Sequence, residues 1–186
     1  MNRIATLLAD ERQTYFEEGA WRLGVSTPIV EKDFWVCWLL GLIFSTPELG
    51  GSAVFKGGTS LSKVFGVINR FSEDVDIAVL NTADKSGNVI KTLIRAVEKQ
   101  ITTELEEVIV DGVTSKGSRF RKSVYNYVPI EKGNESNKLI IEINSFANPF
   151  PNKILEIKSM IKHYFKSQVD GSQNHYLIHL WSKIFR

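Results

Sequence analysis

Apolar residues recur at helical spacing over residues 3–23, with Ile4, Leu7, Leu8, Tyr15 and Trp21 among the apolar positions, and predict an amphipathic helix that Gly24 ends. Thr27-Pro28 supplies an N-cap followed by proline, opening a second helix through about Phe44. Pro47, Gly50 and Gly51 break it. Ser52-Ala53-Val54-Phe55-Lys56 reads as a short buried strand, Gly57-Gly58 as a tight turn, and residues 59–67 as a short helix. Residues 74–80 alternate as a strand. Ile90, Leu93, Ile94, Val97, Ile101 and Leu105 place one long helix over residues 87–107. Three strands are expected at 108–113, 119–129 and 138–144, and a last helix over 153–166. The order α-α-β-α-β-α-β-β-β-α predicts a mixed sheet with helices packed against it, an α+β (α/β) domain.

Composition narrows this only slightly. The 186 residues carry 23 basic and 21 acidic side chains, a net charge of +2, so any nucleic-acid contact must come from a local patch. With 43% hydrophobic and 24% charged residues the chain is globular rather than disordered. Cys37 is the only cysteine, which excludes an intramolecular disulfide and a Cys-built zinc site. His175 and His179 stand four apart, but no third ligand accompanies them and zinc is not expected. The N-terminal residues show no signal-peptide pattern, and the longest apolar stretch, Phe34 to Phe44, is too short to cross a bilayer. A cytoplasmic location and no membrane partner are the expectations.

Candidate chemistry lies in three places. Gly57-Gly58 between a strand and a helix allows close backbone approach, and the amides that follow, with Thr59 and Ser60, suit an anion; read alone, such a diglycine is more often a plain turn. Asp74 and Asp76 share one face of a strand and Val75 and Ile77 the other. Such a pair either faces solvent or holds a cation, and Mg²⁺ suits it, being bound by one or two carboxylates plus substrate phosphates. Glu142 interrupts an isoleucine-rich strand and shares its face with Ile140 and Asn144. It is either an edge-strand charge or a third carboxylate of the same site.

Taken together, Phe55-Lys56-Gly57-Gly58-Thr59-Ser60-Leu61, Arg70-Phe71-Ser72-Glu73-Asp74-Val75-Asp76, Glu142 and the leading Val30-Glu31-Lys32-Asp33-Phe34-Trp35-Val36 resemble the AbiEii/AbiGii toxin family of nucleotidyltransferases, within the DNA polymerase β-like superfamily. The resemblance implies a nucleotidyltransferase-like mixed β-sheet flanked by helices. It also implies Mg²⁺-dependent transfer of a nucleoside monophosphate from a nucleoside triphosphate, with pyrophosphate leaving. Asp74, Asp76 and Glu142 would be the catalytic, metal-holding residues. Lys56, Gly57, Gly58, Thr59, Ser60, Lys63, Arg70 and Ser72 would bind the nucleotide. Lys56, Lys63 and Arg70 are each equally readable as solvated surface charges, and Ser72 as a turn cap.

For partners, the resemblance implies an RNA acceptor, tRNA ends among some relatives, and a cognate antitoxin protein. The basic segment 116–122, followed by Tyr125 and Tyr127, reads as phosphate and stacking contacts or as the charged rim of a hairpin. Glu31-Lys32-Asp33 reads as a brace for the active face or as the solvated side of its helix. Residues 1–152 are expected to form the nucleotidyltransferase core with its N-terminal helices, and 153–186 the start of an incomplete C-terminal helical region. Leu180-Trp181-Ser182-Lys183 resembles the opening of the family's lysine-bearing helix, with Ser182 where glutamate is expected. A nucleotide-binding remnant without turnover, which binds NTP or an antitoxin, is therefore the alternative to an active enzyme, and an unrelated α+β binding domain the third reading.

Overall fold

The computed structural model describes residues 2–49, 51–64, 66, 74–80, 82–131, 137–150, 152–163 and 176–181. The expected first helix is two: α1, Asn2–Ala5, and α2, Ala9–Leu23. The break is held by side chains. Glu11 Oε2 accepts the Leu8 amide at 3.0 Å, and the Arg12 guanidinium donates to the Leu7 carbonyl at 2.6 Å and to Val128 across the fold at 2.6 Å. Gly24 ends α2 in the left-handed region, at φ 66°.

Helix α3, Thr27–Phe44, is apolar on nearly every side, and each residue from Val30 to Gly41 is buried. A helix of that composition belongs at the centre of a fold rather than on its surface. Its aromatic flank is continuous: Phe34 meets Phe16 and Trp35 with ring centroids 5.3 Å apart, and Trp35 stacks on Tyr127 at 5.2 Å. Strand β1, Ala53–Lys56, runs directly into α4, Gly57–Lys63. Strand β2 spans Asp74–Val79 and helix α5 Gly87–Thr102, the latter burying Ile90, Ile94, Val97 and Ile101.

Helix α5 stops short of the expected Glu107 because Glu106–Val108 form β3, paired with β5, Phe120–Asn126. The strand expected at 108–113 is therefore shorter and earlier, and Gly112, at φ 71°, turns the chain beyond it. The two-residue β4, Ser115–Lys116, pairs with β5 as well. β6, Lys138–Asn144, is as expected. Among the described residues the helix expected over 153–166 is not found: Asn152–Ile157 is strand β7, followed by a 3₁₀ turn at Met160–His163. Pairing with β8, Tyr176–Trp181, decides that segment over its local preference. His179 thus lies on a strand, and His175 lies outside the described residues.

Among the described residues the sheet runs β3-β5-β6-β2-β1-β8-β7, with β4 beside β5. β2 pairs with β6 and β1 with β8 in parallel; the other pairs are antiparallel. One face carries Phe55, Val75, Ile77, Val79, Leu139, Ile141 and Ile143 into the core with α2, α3 and α5. The mixed sheet with flanking helices matches the expected α+β class. No helix among the described residues is long and apolar enough to cross a membrane.

Candidate active site

The opposite face of the central strands carries the charges. Register fixes their order: Lys56 of β1 lies across from Asp76 of β2, Asp76 across from Glu142 of β6, and Glu142 across from Lys122 of β5. Residues directly opposite on adjacent strands share a face at about 4.5–5.5 Å between Cβ atoms. The result is a straight row across four strands: cation, carboxylate, carboxylate, cation. Asp74 lies on the same face two residues before Asp76, across from Ile140, where β1 has already turned into α4. The three expected carboxylates are thus brought to one face, with Asp76 and Glu142 adjacent.

Among the described residues these charges are only loosely compensated. Lys56 Nζ is 3.8 Å from Asp76 Oδ1 and 3.8 Å from Glu142 Oε1, beyond the 2.7–2.9 Å of a charge-assisted hydrogen bond. Burial raises the Asp76 pKa above the ordinary aspartate value; Lys56 and Lys122 oppose that rise, and Glu142 and Asp74 add to it. Glu142 Oε1 accepts from Asn144 Nδ2 at 3.3 Å, and Asn144 Oδ1 is itself fixed by the Ala147 amide at 3.1 Å. Asn144 is not among the expected site residues, and Lys122 is expected only as part of the basic segment 116–122. Asn144 was visible as the same-face neighbour of Glu142, whereas Lys122 becomes part of the row only through the β5–β6 register.

The diglycine turn is built around Asp76. Gly57 has φ 78°, and a Cβ there would lie 2.0 Å from Asp76 Oδ2, so any side chain would occupy the carboxylate's own space. Gly58 continues the first turn of α4. The hydroxyls of Thr59 and Ser60 point inward: Thr59 donates to the Asp74 carbonyl and Ser60 to the Gly57 carbonyl at 2.9 Å. They tie α4 to β2 and close its first turn. Arg70 and Ser72 lie outside the described residues.

Lys63, expected among the nucleotide-binding residues, is placed in an interior ion pair. From the far end of α4 its ammonium is paired with Asp33 of α3, in the interior. Asp33 Oδ2 also accepts the Met160 amide at 2.7 Å. Burial opposes the Lys63 charge, but neighbouring Cys37 and Asp33 outweigh it and raise its pKa. Burial pushes the Cys37 thiol up to about 12, as befits a core cysteine. Glu31 and Lys32 are buried too: Glu31 Oε1 accepts the Ile130 amide at 2.9 Å, and Lys32 lies over the Tyr127 ring at 5.9 Å. The Glu31-Lys32-Asp33 stretch is a set of interior braces, not a solvated face. Tyr125 and Tyr127 are buried as well, which removes them as stacking surfaces.

Whether these residues suit Mg²⁺ follows from the donor set. Among the described residues no three His, Cys, Asp or Glu side chains are gathered tightly enough to hold a metal ion by themselves. Mg²⁺ does not require such a cage; one or two carboxylates with substrate phosphates completing the shell suffice. Asp76 and Glu142, side by side beside an open glycine turn, fit that requirement.

A sequence profile of the nucleotidyl transferase AbiEii toxin, from a type IV toxin–antitoxin system, matches residues 38–169. A search of curated proteins returns no match. Seven chains among solved structures match, one being MenT4, the nucleotidyltransferase toxin Rv2826c from Mycobacterium tuberculosis H37Rv, with a TM-score of 0.53 and 20% identity. At that identity the likeness is one of fold. It covers 88% of this chain and 53% of MenT4, so the chain spans about half that toxin's length. The profile match, over most of the chain and across both the diglycine turn and the carboxylate strands, shows that this chain belongs to the AbiEii nucleotidyl transferase toxin family.

Proposed function

We propose that the charged row on the open sheet face is a Mg²⁺-dependent nucleotidyl transfer centre, which moves a nucleoside monophosphate from an NTP to the hydroxyl of an RNA acceptor. The observation that carries this is the register: it sets Asp76 beside Glu142, with Gly57 against Asp76 and a lysine at each end of the row. When bound, the metal supplies charge neutralisation for the triphosphate and for the attacking and leaving oxygens.

The chain's own residues account for the rest. The acceptor oxygen forms a bond to the α-phosphorus while the bond from that phosphorus to the bridging oxygen breaks, and pyrophosphate leaves with the electron pair. Glu142, oriented by Asn144, takes the proton from the acceptor hydroxyl. Asp74, Asp76 and Glu142 would be the metal-holding carboxylates. The amides of residues 57–60 and the Lys56 ammonium receive the β- and γ-phosphates. Lys63 is assigned to anchoring α4 rather than to the nucleotide. The type IV toxin–antitoxin membership supports an antitoxin as protein partner.

The test is incorporation of α-labelled NTP into RNA with Mg²⁺. Transfer by the wild-type chain, and its loss in Asp74→Ala and Asp76→Ala, is the expected result. Calorimetric binding of Mg·NTP without any transfer would instead identify a nucleotide-binding domain without turnover.

A further inference from the structure

Lys56 occupies an odd position for a residue whose task is to bind a triphosphate. Its ammonium lies 3.8 Å from an oxygen of each of the two central carboxylates and hydrogen-bonds to neither. Its side chain is only 18% exposed, so it has been drawn over the row instead of extending into solvent. Without it, Asp76 and Glu142 would face one another as two adjacent like charges on neighbouring strands, an arrangement that is destabilising. Yet a divalent ion ligated by both carboxylates, at about 2.0–2.1 Å from each oxygen, would need the same gap. An ammonium and a divalent cation cannot both fill it.

We propose that Lys56 is a displaceable internal counter-cation: it neutralises the Asp76–Glu142 pair until a divalent ion takes that place, and then swings to the triphosphate. The inference rests on the reading of this face as a metal-dependent centre. Geometry permits the move. Lys56 is the last residue of β1, next to Gly57, and its flexible four-carbon stem can pivot from the carboxylates to the glycine turn while its backbone stays in the sheet. The loose contacts suit an ion that must leave. The buried pair at the other end of α4, Lys63 with Asp33, shows how this fold holds a lysine meant to stay.

The row also supplies a control. Lys122 stands at its other end, beyond Glu142, and contributes positive field without lying between the two carboxylates. Removing either lysine raises the local negative potential, but only Lys56 vacates the gap.

The experiment titrates Mn²⁺ into wild type, Lys56→Met and Lys122→Met, reading free Mn²⁺ by electron paramagnetic resonance. Lys56→Met is expected to bind Mn²⁺ at least threefold more tightly than wild type, and Lys122→Met to change less than Lys56→Met. Without added metal, Lys56→Met should melt at a lower temperature. In parallel, acetylation of Lys56 in the wild-type chain is followed by mass spectrometry. Mn²⁺ should raise its rate at least threefold, and inorganic tripolyphosphate added with Mn²⁺ should lower it again. Equal or weaker Mn²⁺ binding by Lys56→Met, equal tightening in both variants, or unchanged Lys56 acetylation would overturn the proposal while leaving the metal site in place. Absence of Mn²⁺ binding by the wild type would remove the metal-dependent reading itself, and this inference with it.

Discussion

Helix α4 has a lysine at each end and each lysine faces a carboxylate, but the two arrangements have opposite character. At the C-terminal end Lys63 and Asp33 form a direct, buried ion pair, and the Met160 amide donates to the second carboxylate oxygen. At the N-terminal end Lys56 is shared loosely between Asp76 and Glu142, and the Asp76 pKa is raised by burial and by its acidic neighbours. The first pair is satisfied and holds α4 against α3. Among the described residues the second is only loosely paired, on the sheet face opposite the core, where a cationic ligand would be welcome. Stability and affinity are thus assigned to opposite ends of one seven-residue helix.

Breaking the satisfied end should have the largest effect. Asp33→Ala leaves the Lys63 ammonium buried without its carboxylate and should cost about 3–5 kcal/mol in urea denaturation. At the open end, Gly57→Ala places a methyl where Asp76 Oδ2 lies, at a backbone φ of 78°. Strain there should cost about 1–2 kcal/mol, with Mg·NTP binding lost in calorimetry. Asp76→Asn should have the opposite sign on stability. Removing an under-compensated charge should raise stability by about 1 kcal/mol while abolishing nucleotide binding, a trade expected of functional sites.

The smallest effect is the pH dependence of that gain. Because the folded-state pKa of Asp76 is raised, the folded chain holds its proton more tightly than the unfolded one. The wild-type penalty relative to Asp76→Asn should be absent below the ordinary aspartate pKa, where the group is protonated in both states. It should grow as pH rises through the raised folded value and then level off. Melting curves of both proteins from acid to neutral pH would check the sign, and a difference that shrinks with rising pH would contradict it.

The asymmetry was only half legible in the sequence. Period-two alternation placed Asp74 with Asp76, and Glu142 with Asn144, on the faces where they are found, because a strand alternates wherever it sits in a sheet. Which residue stands beside which depends on strand order and register, a non-local property, so the juxtaposition of Asp76 with Glu142 and the entry of Lys122 came only with the fold. Whether Asp33 braces the interior or faces solvent, and whether Lys63 binds nucleotide or is a surface charge, stayed open in the sequence for a different reason. Charged residues in a helix read as solvated, yet α3 is apolar on nearly all sides, and in such a helix a charge must be buried and paired. The β7 segment failed because Ile154, Leu155 and Ile157 suit a short strand or a helix equally, and pairing with β8 settled it. Tyr125 and Tyr127 looked available for stacking, but the core claims both.

Whether Asp76 is set up for a ligand at the expense of stability is addressed directly by one paired measurement. Wild type and Asp76→Asn are compared for Mg·NTP binding by calorimetry and for melting temperature in the absence of ligand. The prediction is that Asp76→Asn melts about 2–4 °C higher and binds Mg·NTP at least tenfold more weakly. Equal binding by the two proteins, or a lower melting temperature in Asp76→Asn, would contradict it.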